Sequence, residues 1–375
     1  MARLSHCQQS LRRLLVCAGG TGGGVYPALS VLQAIENNPD FSLENLLWVG
    51  GEGGMEKELV ERAGIDYADI PAAGVHGVGL ATLPGNILQL LKGFSRARTL
   101  LRRFRPDVMF FTGGYVAVPV ALAGITIPSV LYVPDIEPGL ALKTLAFFAN
   151  EIALTTETSQ SYFSPQKRVS LTGYPTRPGL EKWTQDEARR VFDLEENLPT
   201  LLVFGGSKGA RSINRALLPH LPDLLAEMQI IHISGHLDWE EVQSVQEKLS
   251  PEQQERYRAF AYLHEKMGAA LRVADLVLSR AGASTLGEFP LFGLPAILVP
   301  YPYAWRYQKV NAQFLAERGA AIMVRDEELP ARVLPLVREL MGNHARRKKM
   351  SEAMHQLAHP LAAQAIAQVL MKHGR

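Results

Sequence analysis

The 375-residue chain carries 39 basic and 37 acidic residues, a formal charge of +2, with 47% hydrophobic and 20% charged residues. That length buries the cores of two ordinary domains, and the charge balance excludes a general nucleic-acid-binding surface. The two cysteines, Cys7 and Cys17, lie near the N-terminus, Cys17 inside an apolar run, so neither a disulfide framework nor a cysteine metal site is expected, and a reducing cytoplasm is the expected compartment.

The first twenty residues contain early arginines, but their apolar stretch LLVCA is too short for a signal-peptide core, and export is not expected. LLVCA then opens a series of short apolar runs, LLWVG, DVMFFTGG, SVLYV, IALTT and VSLTG, each followed by turn residues and separated by helical patterns. This is the pattern of parallel βαβ units covered by helices on both faces. The uncharged run from Met109 to Pro134 is interrupted by Gly113, Gly114, Pro119, Gly124 and Pro128, which predicts strand, loop, short helix and strand rather than a membrane span. Residues 83–107 combine leucines and Phe94 with Lys92, Arg96, Arg98, Arg102 and Arg103. That composition fits an amphipathic domain helix with a basic face first, with an interfacial helix for an anionic membrane surface as the alternative.

GYPTRPGL, residues 173–180, is the predicted crossover, after which a second series follows: TLLVFGG, IIHISG, AFAYL, DLVLSR, AILVP and AAIMV. Residues 345–375 read as a helical tail, broken at Pro360, that packs back across the first domain. The expected organisation is therefore an N-terminal domain over 1–172, a C-terminal domain over 173–344, and the tail. The expected fold class is α/β, with two Rossmann-like doubly wound parallel sheets facing a cleft.

Three strand-to-helix junctions are rich in small residues: GGTGGG (19–24), GGSKGAR (205–211) and SRAGAST (279–285). Backbone N–H groups at a helix start form an anion site, and glycine lets a phosphate or sugar approach closely. Tight packing alone also selects glycine there. No Gly-Lys-Ser or Gly-Lys-Thr follows, against a P-loop, and the first loop has Val25 where dinucleotide spacing needs glycine. In the third junction Ser284 is placed to cap a helix, with Glu288 one turn on, where a carboxylate can accept from two ribose hydroxyls beside a diphosphate. The pairs His232/His236 and His355/His359 lack a third ligand and are read as non-metal.

The ordered set GGTGGGVYPALS, FTGGYVAVPVALAG, GYPTRPGL, VFGGSKGARSINRAL, SRAGASTLGE, GLPAILVPYPYA and QKVNA resembles the two-domain glycosyltransferases of the B-type fold, most closely the MurG family. That family transfers N-acetylglucosamine from its UDP-sugar to undecaprenyl-linked muramyl-pentapeptide. The resemblance implies that Glu288 takes the ribose hydroxyls and that Ala283, Ser284 and Thr285 donate to the diphosphate, helped by Ser207 and Arg177. It further implies that Gln308 and Asn311 reach sugar hydroxyls, that Leu263 lies near the uracil, and that Thr21, Gly22, Gly23 and Gly24 contact substrate. A metal-independent, inverting displacement without a cofactor is implied, and no Asp-any-Asp pair is present.

Departures fall on the acceptor side. Gly24 stands where the family has histidine, Asp135 stands at the asparagine of a His-Glu-Gln-Asn run, and Tyr307 replaces a common histidine. Asp135 becomes the first candidate base, with Glu137 and His76 behind it. Asp135 also suits a helix cap near Pro138. The implied partners are UDP-N-acetylglucosamine, a lipid-linked acceptor and an anionic membrane surface through residues 83–107, with the protein cytoplasmic and peripheral on the inner face of the membrane; no nucleic acid is implied. A transferase with another acceptor, a nucleotide-sugar-binding protein without transfer activity and a same-fold UDP-sugar 2-epimerase remain the alternatives.

Overall fold

The computed structural model describes residues 9–19, 22–54, 56–73, 83–206 and 209–374. The chain divides into two compact units, Met1–Arg177 with Pro360–Arg375, and Pro178–His359. The first unit is built on a seven-stranded sheet of β1 (Gln9–Ala18), β2 (Phe41–Gly51), β3 (Asp66–Ile70), β4 (Val108–Gly113), β5 (Ser129–Val133), β6 (Glu151–Leu154) and β7 (Val169–Leu171), in the order β3-β2-β1-β4-β5-β6-β7. Every adjacent pair is parallel. Central strands show why: β4 and β5 are buried along their whole length, as unbroken apolar runs require when helices cover both faces. The edge strand β3, DYADI, buries only its last residue fully, and no apolar run announces it.

The second unit repeats the scheme with β8 (Thr200–Phe204), β9 (Gln229–Ile233), β10 (Tyr257–Phe260), β11 (Leu276–Ser279), β12 (Ala296–Leu298) and β13 (Ala321–Met323), ordered β10-β9-β8-β11-β12-β13 and again parallel throughout. The strand order reverses between β1 and β4 in one sheet and between β8 and β11 in the other. Loops leaving the carboxyl ends of two such neighbours part company, and that opening is where doubly wound sheets hold ligands. The glycine-bearing segments leave those strands: 19–24 after β1, 113–114 after β4, 205–210 after β8 and 280–284 after β11.

The crossing falls at Arg177 and Pro178, inside the predicted 173–180 stretch. The return comes at Pro360 rather than 345. The helix His344–His355 packs on the helices Thr285–Phe292 and Leu329–Gly342, burying Met350 and Met354 in the second unit. Only the helix Ala362–His373 joins the first unit, packing on the helix Gly22–Glu36 and on β5 through Ile366, Ala367, Leu370 and Met371. Its end is tied to buried Glu151 of β6, which accepts from His373 Nε2 at 2.8 Å, Lys372 Nζ at 3.4 Å and Ser170 Oγ at 2.6 Å. Burial pushes that carboxyl up, but the Ser170, His373 and Lys372 contacts together hold it below its ordinary value. The Met109–Pro134 run folds as β4, the short helix Ala117–Ala123 and β5, and no helix among the described residues is long and apolar enough to cross a membrane.

Candidate active site

In the second unit, β11 ends at Ser279 and the chain turns into the helix Thr285–Phe292 through Arg280–Ser284. The turn is tight. Thr285, Leu286 and Gly287 N–H donate to the carbonyls of Gly282, Ala283 and Ser284, and Glu288 N–H also donates to Ser284. Those amides are therefore occupied, whereas the N–H groups of Gly282, Ala283 and Ser284 have no partner among the described residues. An added Cβ at Gly282 would meet nothing within 4 Å, so packing does not demand this glycine. A cluster of open N–H groups before a helix start, with bare backbone at its head, can receive an anion.

This geometry corrects two expectations. Thr285 donates both its N–H and its hydroxyl, at 2.7 Å, to the Gly282 carbonyl, so neither donor is left for a diphosphate. Ser284 makes no side-chain cap bond, because the backbone itself closes the helix start. Glu288 lies one turn after Ser284, 4% exposed.

Gln308 and Asn311 lie three apart on the helix Trp305–Glu317 and grip the same residue. Gln308 Oε1 accepts from Ala281 N–H at 3.3 Å and Tyr301 N–H at 2.9 Å, which fixes the amide orientation and leaves Nε2 without a partner among the described residues. Asn311 Nδ2 donates to the Ala281 carbonyl at 3.1 Å. Asn311 is 0% exposed and holds the loop through this bond. Leu263 is buried in the segment after β10, at the same carboxyl edge of the sheet.

Sequence reasoning passed over Arg280 inside its own motif. The side chain is 10% exposed and bonded to Ser212, Asp326 and the Val299 carbonyl. A charged residue directly after an apolar strand was the available signal, since a buried charge needs partners. His232 is tied into the core of the second unit by its contacts. Asn214 Nδ2 donates to Ser234 and Asp238, so Asn214 Oδ1 accepts from His232 Nε2 at 2.9 Å, and His232 Nδ1 accepts from Tyr257 at 2.6 Å. Burial lowers its pKa to about 4.

In the first unit, Gly22, Gly23 and Gly24 form the first turn of the helix Gly22–Glu36. Gly24 lies against Thr112, whose hydroxyl donates to the Gly24 carbonyl at 2.8 Å, and an added Cβ would stand 3.2 Å from that hydroxyl. Gly114, at φ +89°, brings its backbone against Gly19, with an added Cβ 2.8 Å from the Gly19 carbonyl oxygen. Glu56 was also missed. It is buried, accepts from Gly51 N–H through Oε1 at 3.1 Å, and its Oε2 has no hydrogen-bond partner among the described residues; an added Cβ at Gly19 would stand 2.8 Å from Oε1. A carboxylate behind this loop opposes an anion and suits a hydroxyl- or amide-bearing group.

Asp135 and Glu137 follow β5. Asp135 is half-buried near Tyr132, whose phenol is held well above the usual tyrosine range by burial, Tyr174 and Asp135. Tyr132 donates to Thr155 Oγ1 at 2.7 Å, because the Thr155 hydroxyl already donates to Val133. The next helix, Leu140–Phe148, is N-capped by Gly139, so the cap alternative for Asp135 does not hold. Glu137 is buried, with Lys143 Nζ 3.9 Å from Oε1. Arg177 lies over the Tyr26 ring at 5.5 Å. Thr21, His76 and Ser207 lie outside the described residues, as does Cys7.

Residues 14–154 match the glycosyltransferase family 28 N-terminal domain, and residues 200–366 match its C-terminal domain. A protein of Roseiflexus sp. (strain RS-1), named UDP-N-acetylglucosamine--N-acetylmuramyl-(pentapeptide) pyrophosphoryl-undecaprenol N-acetylglucosamine transferase, is 39% identical over 96% of this chain and 94% of its own. A namesake from Halothermothrix orenii is 36% identical over 93% and 96%. Among solved structures, Acinetobacter baumannii MurG superposes with a TM-score of 0.76 and 26% identity, over 96% of this chain and 99% of that one. The UDP-GlcNAc 2-epimerase of Neisseria meningitidis shares the fold, with a TM-score of 0.69 at 14% identity over 96% and 100%.

Proposed function

The chain belongs to glycosyltransferase family 28, and from that premise we propose that it moves N-acetylglucosamine from UDP-N-acetylglucosamine to a lipid-linked muramyl-pentapeptide. The observation that carries the reading is the set of open amides at Gly282, Ala283 and Ser284, one helical turn from Glu288, at the switch point of the second sheet. The amides receive the diphosphate, and the Glu288 carboxylate accepts from the ribose hydroxyls. Gln308 presents Nε2–H to a sugar hydroxyl, Leu263 lies by the uracil, and Ser207 and Arg177 add donors on the phosphate side.

The reaction is a single displacement. An acceptor hydroxyl attacks the anomeric carbon, the bond to the diphosphate oxygen breaks, and the configuration inverts to a β-linkage. Negative charge growing on departing UDP falls on amides already aimed at it, which lowers the barrier without reorganisation. Asp135 takes the hydroxyl proton, with Glu137 and His76 as the other candidates. Thr21, Gly22, Gly23 and Gly24 contribute acceptor contacts, where Glu56 favours a hydroxyl over a phosphate.

A lipid-linked acceptor calls for a membrane-facing surface, and the helix Leu83–Phe104 supplies one. Ile87, Leu88 and Leu91 are exposed on it, next to exposed Lys92, with Arg98, Arg102 and Arg103 further along. Leu122 and Ile125, on and just after the neighbouring helix Ala117–Ala123, extend the apolar exposure. The protein accordingly works in the cytoplasm as a peripheral protein on the inner face of the membrane.

One observation favours a second reading, a transferase with another acceptor. Gly24 occupies the family's histidine position against a hydrogen-bonded Thr112, and Asp135 occupies an asparagine position. The test is UDP release by the purified protein with and without lipid-linked muramyl-pentapeptide. Release that depends on this acceptor is the expected result. Release only with other acceptors supports the second reading, and sugar product without any acceptor overturns both.

A further inference from the structure

Arg280 follows β11 directly, and its guanidinium reaches the segments after three other strands at once. Nη1 donates to Asp326 Oδ1 at 2.5 Å and to the Val299 carbonyl at 3.1 Å, and Nη2 donates to Ser212 Oγ at 2.7 Å. Ser212 closes the triangle by donating its own hydrogen to Asp326 Oδ1 at 2.7 Å. The cation also lies 5.2 Å from the Tyr301 ring centroid. Ser212 sits on the helix Arg211–Leu217, immediately beyond the glycine loop after β8; Val299 and Tyr301 follow β12; Asp326 follows β13. The next residue, Ala281, is held at its N–H by Gln308 and at its carbonyl by Asn311. The backbone leading into the open amides is thus fixed from both sides before any ligand arrives.

We infer that Arg280 is a positioning residue that ties the helix Arg211–Leu217 to the amide loop after β11, so that the open amides of Gly282, Ala283 and Ser284 are held ready for a diphosphate. The inference rests on the UDP-sugar reading of this unit and adds to it. Stability alone does not account for the arrangement, because buried ionic clusters are commonly replaceable by apolar residues at no loss of stability. Preorganisation does account for it, since loops held in their bound geometry avoid the ordering cost of binding. Lysine cannot substitute: a tetrahedral ammonium lacks the planar fork that spans Ser212, Asp326 and Val299 beside the Tyr301 ring.

Two variants test it, read by UDP calorimetry, by KM for the donor and for the acceptor, and by thermal melting. Arg280→Lys keeps the charge and is expected to weaken UDP binding and raise donor KM by about 10-fold or more, with acceptor KM unchanged. Ser212→Ala removes one link without touching the charge and is expected to weaken UDP by about 3- to 10-fold with an unchanged melting temperature. Should Arg280→Lys fail to fold, Ser212→Ala decides. UDP affinity within about twofold of the unaltered protein in the folded variants overturns the inference and leaves the functional reading intact. Absence of UDP binding by the unaltered protein overturns that reading instead.

Discussion

The two units place glycine-rich loops at equivalent points of similar sheets, yet the loops are built for different ends. In the first unit the glycines answer to the protein: Gly24 makes room for Thr112, and Gly114 and Gly19 meet backbone to backbone beside the Glu56 carboxylate. In the second unit an added Cβ at Gly282 would meet nothing, and the amides of residues 282–284 have no partner among the described residues, while side chains from three other segments hold their approach. Glycine content alone does not mark a ligand site. What separates the loops is whether the freed backbone is already in contact with something.

The sharpest way to break this contrast is to remove the carboxylate of the second site. Glu288→Gln keeps the shape and loses the charge, and a charged hydrogen bond is worth roughly 1.5–3 kcal/mol, so kcat/KM for the donor is expected to fall by about 10- to 150-fold in steady-state assays. An unchanged value would mean that Glu288 does not meet the ribose.

A paired substitution sharpens the comparison directly. Gly114→Ala forces a side chain into a left-handed backbone and against Gly19, and is expected to destabilise by about 1–3 kcal/mol, visible as a melting temperature lower by several degrees. Gly282→Ala is expected to leave the melting temperature unmoved while weakening UDP about tenfold, because its methyl group occupies only the ligand's approach. The reverse pattern would exchange the roles assigned to the two loops.

The smallest effect concerns the tail helix of the first unit. Glu151 has a lowered folded pKa, so its stabilising contribution is complete above the ordinary carboxylate range and disappears as pH falls through the folded value. The protection of amides in Ala362–His373, taken as the exchange rate relative to the intrinsic rate at each pH, is expected to fall on acidification to below about pH 4, more steeply than in a Glu151→Gln variant. Identical pH profiles for the two proteins would remove Glu151 as the clasp.

Much of this was legible in the sequence, and the exceptions share a cause. Strands such as β4, β5 and β8 announce themselves because burial on both faces demands unbroken apolar runs, whereas the polar edge strand β3 does not. Glu288 was legible from its spacing after SRAGAST. The roles of Thr285, Asn311 and Arg280 were not, because each depends on where a distant partner lies: Thr285 turns back on Gly282, Asn311 reaches Ala281 from another helix, and Arg280 meets Ser212 and Asp326. A motif reports which residues gather at a site, but not which of them face inward to hold it.

The return of the chain at Pro360 bears on how the molecule is made. Pro178–His359 is continuous and can fold as soon as it leaves the ribosome, whereas the earlier-synthesised Met1–Arg177 must wait with part of its sheet uncovered until Ala362–His373 emerges. Biosynthetic order and order of completion are therefore inverted. An isolated N-terminal half would be soluble only if that terminal helix were grafted back onto it.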